Sequence, residues 1–300
     1  MKLPRVQPSF FAGVTTLALM TLAFGGGVAL VVLTHPKKEV QQAAPLVFPA
    51  PLVLDAQQLR ARSAIVYDPT SGRILYAKNE HEQLPLASLT KLMTAEVVLQ
   101  QKTPTTSVRI VQSDLNHEGN WGLKVGDVLS LSSLLKLGLV ASSNDAMVAA
   151  AGSLGENYLD VMNQTARDLG LNQTYFLNPT GLDESATTAG AYSTVYDVAR
   201  LAALFYKQYP HYFELTKQSS VSYSSDAGTL SFAATAAPLF TIPGLVGAKT
   251  GYTDLAGGNL VAIFDIEIGH PLVAVVLGST QKERFSDIEA LVRAARTQTQ

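Results

Sequence analysis

A mixed α/β (α+β) fold is predicted for this chain: one antiparallel sheet built from both ends of the body, flanked by helices and carrying an all-helical subdomain. Two observations carry that expectation. Short β-rich runs stand near the start of the body (63–77) and near its end (259–278), and the stretch between them is apolar, Ala-rich and helically periodic. Composition agrees, since 47% of the 300 residues are hydrophobic and only 15% charged, which is ample for a large core and too apolar for a disordered chain.

In chain order, Ser63–Tyr67 and Arg73–Ala77 read as two strands joined by the turn residues Asp68-Pro69-Thr70-Ser71-Gly72, hence a hairpin. Ser88–Gln101 has Leu89, Leu92, Met93 and Val97 on one side of a helix. Ser132–Val140 and Asn144–Leu154 read as core helices, and Tyr158–Leu169 and Val195–Tyr206 as further helices. Asn259–Ile268 and Leu272–Gly278, separated by Gly269-His270-Pro271, read as a second hairpin, with Ser286–Arg296 as a closing helix.

Ahead of the body lies a different segment. No Asp, Glu, Lys or Arg occurs between Arg5 and Lys37, and Phe10 to Leu33 is apolar or small. As a helix that run would reach about 36 Å, against a hydrocarbon core of ~30 Å. The reading is therefore a cytoplasmic tail (1–9), a transmembrane signal anchor (10–34) whose alternative is a cleaved signal peptide, a Pro-rich tether (35–55) and a catalytic body (56–300). The first 54 residues hold four basic side chains and one acid, leaving 18 basic and 23 acidic residues in a mildly acidic remainder. Nucleic acid is thus not an expected partner. With no cysteine, a thiolate nucleophile and Cys-ligated metal centres are excluded.

Three short motifs could carry chemistry. In Ser88-Leu89-Thr90-Lys91 a hydroxyl and an amine lie one helical turn apart, and a buried lysine with a lowered pKa would serve as the base a serine nucleophile needs. The backbone N–H of Ser88 at a helix start would help stabilise an oxyanion. Ser142-Ser143-Asn144 offers a relay hydroxyl and an amide that can hold a peptide. Lys249-Thr250-Gly251 offers charge, a hydroxyl and close backbone approach to a carboxylate-bearing substrate. Taken singly, each has a plainer explanation: a capping serine with a solvated lysine, a turn between helices, an edge strand guarded by lysine. Ser-x-x-Lys also occurs at Ser133–Lys136 and Ser279–Lys282.

Taken together and in this order, the three motifs resemble the active-site serine penicillin-recognising family, and most of all its low-molecular-mass D-alanyl-D-alanine carboxypeptidases. Further matches are Pro85–Thr94, Ser143-Asn144-Asp145-Ala146, Asn178-Pro179-Thr180-Gly181-Leu182-Asp183, Ser193-Thr194 with Asp197, and Gly247–Thr253. The resemblance runs from about Ala56 to the C-terminus. It implies a serine β-lactamase/transpeptidase-like fold and a serine-type D-Ala-D-Ala carboxypeptidase acting on peptidoglycan stem peptides and inhibited by β-lactams. No cofactor or metal is implied. It makes Ser88 the nucleophile, Lys91 its base, and Ser142 with Lys249 the route of a proton to the leaving amine. Asn144, Lys249, Thr250 and Gly251 would bind substrate, and the backbone N–H groups of Ser88 and Tyr252 would form the oxyanion hole.

Alternatives that stay open are a peptidoglycan DD-endopeptidase and a catalytically weak peptidoglycan-binding protein of the same fold. A class A β-lactamase fits less well, because the acid on offer for directing water is Glu184, in another setting. The chain departs from relatives in that Gln218 to Ala248 contains no Lys, Arg or Asn, and in having Ala191 where some carry histidine. His35, His81, His117, His211 and His270 are scattered without an HExxH pattern, neither a Gly-x-Ser-x-Gly elbow nor a phosphate loop occurs, and Trp121 reads as a packing residue.

Overall fold

Asp68 starts the first hairpin as expected. Its carboxylate accepts from Thr70 N at 2.8 Å and from the Ser71 hydroxyl at 2.7 Å, and Gly72 takes the left-handed φ of 72° that closes the turn. The structure, a computed structural model, describes residues 52–115, 118, 122–225 and 228–297. The expected tail, anchor and most of the tether, with His35, His117 and Trp121, lie outside the described residues. Folded structure reaches back to Leu52, whose N–H donates to Leu75 O at 2.8 Å, at the end of the stretch read as tether.

The chain runs through β1 (Ser63–Asp68), β2 (Arg73–Lys78), β3 (Leu84–Pro85), a 3-10 turn (Ala87–Thr90) and α1 (Lys91–Gln101). Then come β4 (Ser107–Arg109), β5 (Val128–Ser130), α2 (Leu131–Val140), α3 (Asn144–Gly152), α4 (Tyr158–Asp168), β6 (Tyr175–Phe176), β7 (Ala191–Ser193), α5 (Val195–Gln208) and α6 (Pro210–Glu214). The last part comprises the hairpin β8 (Ser220–Ser225) and β9 (Gly228–Ala233), then β10 (Leu245–Thr253), β11 (Gly257–Glu267), β12 (His270–Ser279) and α7 (Glu283–Thr297).

Five strands form one antiparallel sheet in the order β10-β11-β12-β1-β2, so the two ends of the body meet at its centre, where Ser63 faces Leu277. Side chains alternate across it. Ala64, Val66, Ala262, Phe264, Ala274 and Val276 pack with Ile288 and Leu291 of α7 on one face. Ile65, Val261, Ile263, Val273 and Val275 pack toward α1 and α5 on the other. Both faces are therefore dry, which is why β11 and β12 read as continuous apolar runs rather than as alternation. Each fully buried aliphatic side chain contributes roughly 1.5–3 kcal/mol.

The helical part follows local chemistry. Ser130, Ser143 and Thr194 cap α2, α3 and α5 by accepting from the N–H three residues on, at 3.2, 3.2 and 3.1 Å. α2 and α3 pack closely enough that a Cβ on Gly138 would lie 2.1 Å from the Met147 sulfur. The β3, β4–β7 and β8–β9 strands were not expected from periodicity; most have only two or three residues.

Candidate active site

The nucleophile candidate is held by its backbone. Leu86 N–H donates to Ala191 O at 3.0 Å, and the buried Asn259 amide donates to Pro85 O at 2.8 Å, which fixes the two residues just ahead of Ala87. Ala87 adopts φ 47°, an unusual conformation for a residue with a side chain, and the 3-10 turn follows. Ser88 therefore sits in this turn and not in the first turn of an α-helix as expected; α1 begins at Lys91. The tighter turn still places Lys91 Nζ 2.6 Å from Ser88 Oγ.

Lys91 is fully buried, and its amine lies within hydrogen-bonding distance of Ser88 Oγ, Asn144 Oδ1 at 2.7 Å and Thr180 O at 3.0 Å. Asn144 is oriented by its own amide, which donates to Glu118 O at 2.8 Å, so its oxygen faces the lysine. The Asn144 and Thr180 oxygens can only accept. A neutral Lys91 must then donate two protons to them, and its lone pair is left facing the Ser88 hydroxyl. Burial, reinforced by the nearby charge of Lys249, pushes the Lys91 pKa well below its ordinary value and so favours that neutral form. The other two Ser-x-x-Lys matches lack this arrangement. Ser133 is paired with Ser130, Ser279 donates to Asp287 at 2.6 Å, Lys136 is half-buried and Lys282 exposed.

Thr180 is presented by a loop whose role its sequence alone did not reveal. The Asn178 side chain accepts from Thr180 N and Gly181 N and donates to Leu182 O, folding 178–182 onto itself. Gly181 has φ 80°, and a Cβ there would lie 1.9 Å from Ala87 O. Gly181→Ala should therefore destabilise the protein by about 2–4 kcal/mol and slow any reaction at Ser88. Urea unfolding and acylation rates read both; an unchanged midpoint would contradict the close approach.

Ser142 takes φ 63°, between α2 and α3, and its hydroxyl accepts from Lys249 Nζ at 2.8 Å. Lys249 is fully buried on β10 and also donates to Thr250 O at 2.8 Å. Burial, then the neighbouring Arg284 guanidinium, lowers its pKa to about 7. Arg284 itself reaches from α7 to donate to Gly251 O at 2.6 Å. A Cβ on Gly251 would lie 3.1 Å from Ser88 N, so β10 runs directly beside the 3-10 turn that carries Ser88. Tyr252 stands at the rim, 44% exposed. All eight expected site residues are thus joined: Ser88, Lys91 and Asn144 in one network, Ser142, Lys249 and Thr250 in a second, and Gly251 and Tyr252 next along the strand. Asn178, Thr180, Asn259 and Arg284 are further contributors. A cavity of about 700 Å³ adjoins this centre, between the 178–186 loop and residues 252–255.

These two lysines give stability a pH signature. An unfolded lysine titrates near 10.4. Between pH 7 and 9 the unfolded chain therefore binds more protons than the native one, and stability rises with pH across that interval. The urea midpoint is expected to increase from pH 7 to pH 9, with a smaller slope in Lys249→Met. A wild-type midpoint that falls over this range would contradict it.

The five-stranded sheet, the helical insertion and the ordered trio of motifs define the penicillin-recognising serine class. The chain belongs to the peptidase S11 family, D-alanyl-D-alanine carboxypeptidase, whose model matches residues 51–281. It is 33% identical over 256 residues to the D-alanyl-D-alanine carboxypeptidase DacF of Bacillus subtilis, covering 79% of this chain and 62% of that protein. It is 32% identical over 291 residues to the D-alanyl-D-alanine endopeptidase of Pseudomonas aeruginosa, covering 92% of this chain and 87% of that protein. Among solved structures, penicillin-binding protein D2 of Listeria monocytogenes in its ampicillin-bound form matches with TM-score 0.70 and 30% identity, over 79% of this chain and 97% of that one. The chain spans a little under two thirds of the length of the curated carboxypeptidases it matches.

Proposed function

We propose that the protein is a serine-type D-Ala-D-Ala carboxypeptidase of peptidoglycan stem peptides, working through a Ser88 acyl-enzyme that β-lactams also form. The observation that carries this reading is the Lys91 amine, buried beside Ser88 with two acceptor-only oxygens that direct its lone pair to the hydroxyl. Lys91 takes the Ser88 proton as Oγ attacks the D-Ala carbonyl carbon. The oxyanion is held by the N–H groups of Ser88 and Tyr252. Collapse breaks the C–N bond, and the departing amine receives a proton through Ser142, which Lys249 contacts. Asn144 orients the peptide, and Lys249, Thr250 and Gly251 receive the terminal carboxylate. Water then attacks the ester and releases Ser88.

The natural setting of this reaction is the cell envelope, with residues 10–34 as a membrane anchor and the body outside the cytoplasm. Among the described residues no helix is long and apolar enough to cross a membrane. A DD-endopeptidase is the second reading, favoured by the alignment with the P. aeruginosa endopeptidase over most of both chains. The test is to incubate the full chain with fluorescent penicillin, a D-Ala-D-Ala pentapeptide and cross-linked muropeptides. Covalent labelling with release of D-Ala from the pentapeptide is expected. Cleavage confined to cross-links assigns the endopeptidase, labelling without cleavage a binding protein, and rapid penicillin turnover a β-lactamase; absence of labelling overturns the reading of the site.

A further inference from the structure

The segment 218–248, which lacks Lys, Arg and Asn, nevertheless delivers one polar side chain to the site. Thr235, just after β9, is half-buried, and its Oγ1 accepts from the Thr250 hydroxyl at 2.7 Å. The Thr235 backbone N–H donates to Val140 O at 3.1 Å, and its hydroxyl also points there at 3.4 Å. Val140 ends α2, two residues before Ser142. Thr235 thus joins the strand carrying Lys249 and Thr250 to the helix end carrying Ser142.

A hydroxyl has one proton to donate. As arranged, the Thr250 proton is spent on Thr235, whereas a carboxylate, which can only accept, requires that same proton. We propose that Thr235 is a positioning residue for carboxylate recognition, a partner hydroxyl that exchanges roles with Thr250 when an anionic ligand binds. The proposal rests on the reading of Thr250 as a carboxylate-binding residue given above. On binding, the Thr250 O–H turns from Thr235 to the carboxylate. The Thr235 O–H then turns from Val140 O to the Thr250 oxygen. Val140 O keeps its backbone N–H donor, so each proton has a new acceptor and no buried acceptor is orphaned. Polarisation along this two-hydroxyl chain strengthens the bond to the anion. A threonine pair therefore supplies what this segment's missing cationic and amide side chains do not.

The experiment measures second-order acylation of the full-length protein by benzylpenicillin and by its methyl ester, followed by intact mass, in wild type, Thr235→Val and Thr235→Ser. Valine keeps the shape and removes the hydroxyl. Thr235→Val is expected to lose about tenfold against the free carboxylate and less than about threefold against the ester, the size of one lost hydrogen bond to a charged group. Thr235→Ser should stay within about twofold of wild type on both, since it keeps the hydroxyl. Equal losses on the two ligands, or none, overturn the proposal while wild-type acylation leaves the Ser88 reading standing. Failure of wild type to be acylated brings down both.

Discussion

Replacing Ser88 by alanine is expected to abolish covalent attachment of penicillin altogether. The hydroxyl is the one group 2.6 Å from the Lys91 amine that can surrender a proton to it, and no cysteine exists anywhere in the chain to substitute as a nucleophile. The fold should be spared. Lys91 keeps Asn144 Oδ1 and Thr180 O, and the loss of one partly buried hydrogen bond costs about 0.5–1.5 kcal/mol. Intact mass after incubation with penicillin should show the adduct in wild type and only the unmodified chain in Ser88→Ala, with thermal midpoints close together. An adduct on the variant would move the nucleophile elsewhere.

Lys91→Met is expected to separate chemistry from stability. Without a base, the acylation rate should fall by about 10²–10⁴. Two effects on the fold oppose each other. A fully buried amine that is costly to charge is replaced by an apolar side chain of similar length, which stabilises. The Asn144 and Thr180 oxygens lose a donor, which destabilises by about 1–3 kcal/mol. The urea midpoint should thus move little while reactivity collapses. A variant that unfolds would mean that Lys91 serves structure first; one that still acylates at the wild-type rate would mean that another group takes the Ser88 proton.

Much of this was legible in the residues themselves. The two hairpins and the core helices announced their periodicity, and the meeting of both chain ends in one sheet followed from β-rich runs flanking a helical middle. The start of α1 was displaced because a Ser at the head of an apolar periodic run normally signals a cap, whereas here Ala87 enters the left-handed region and a 3-10 turn intervenes. The short strands β3 to β7 escaped because two or three residues carry no period. In the site, the motif residues could be named from the family that the three motifs together resemble, but most of their supports could not. Asn259 and Arg284 reach across the fold to backbone oxygens, and such contacts leave no mark on local sequence; Thr180 lies in the matched 178–183 stretch, but it acts through its backbone oxygen, which residue type does not reveal. Thr235 was hidden for the same reason: its partner lies fifteen positions away on another element.

The pairing of β1 with β12 has a consequence for when reactivity arises. Ser88 is made early, but the strand bearing Lys249 docks on β11, which docks on β12, which docks on β1. A chain emerging from the ribosome N-terminus first therefore carries Ser88 and Lys91 long before the remaining half of the cleft exists. Such nascent chains are expected to stay inert toward penicillin until the last strands have been synthesised, with competence gained in one late step.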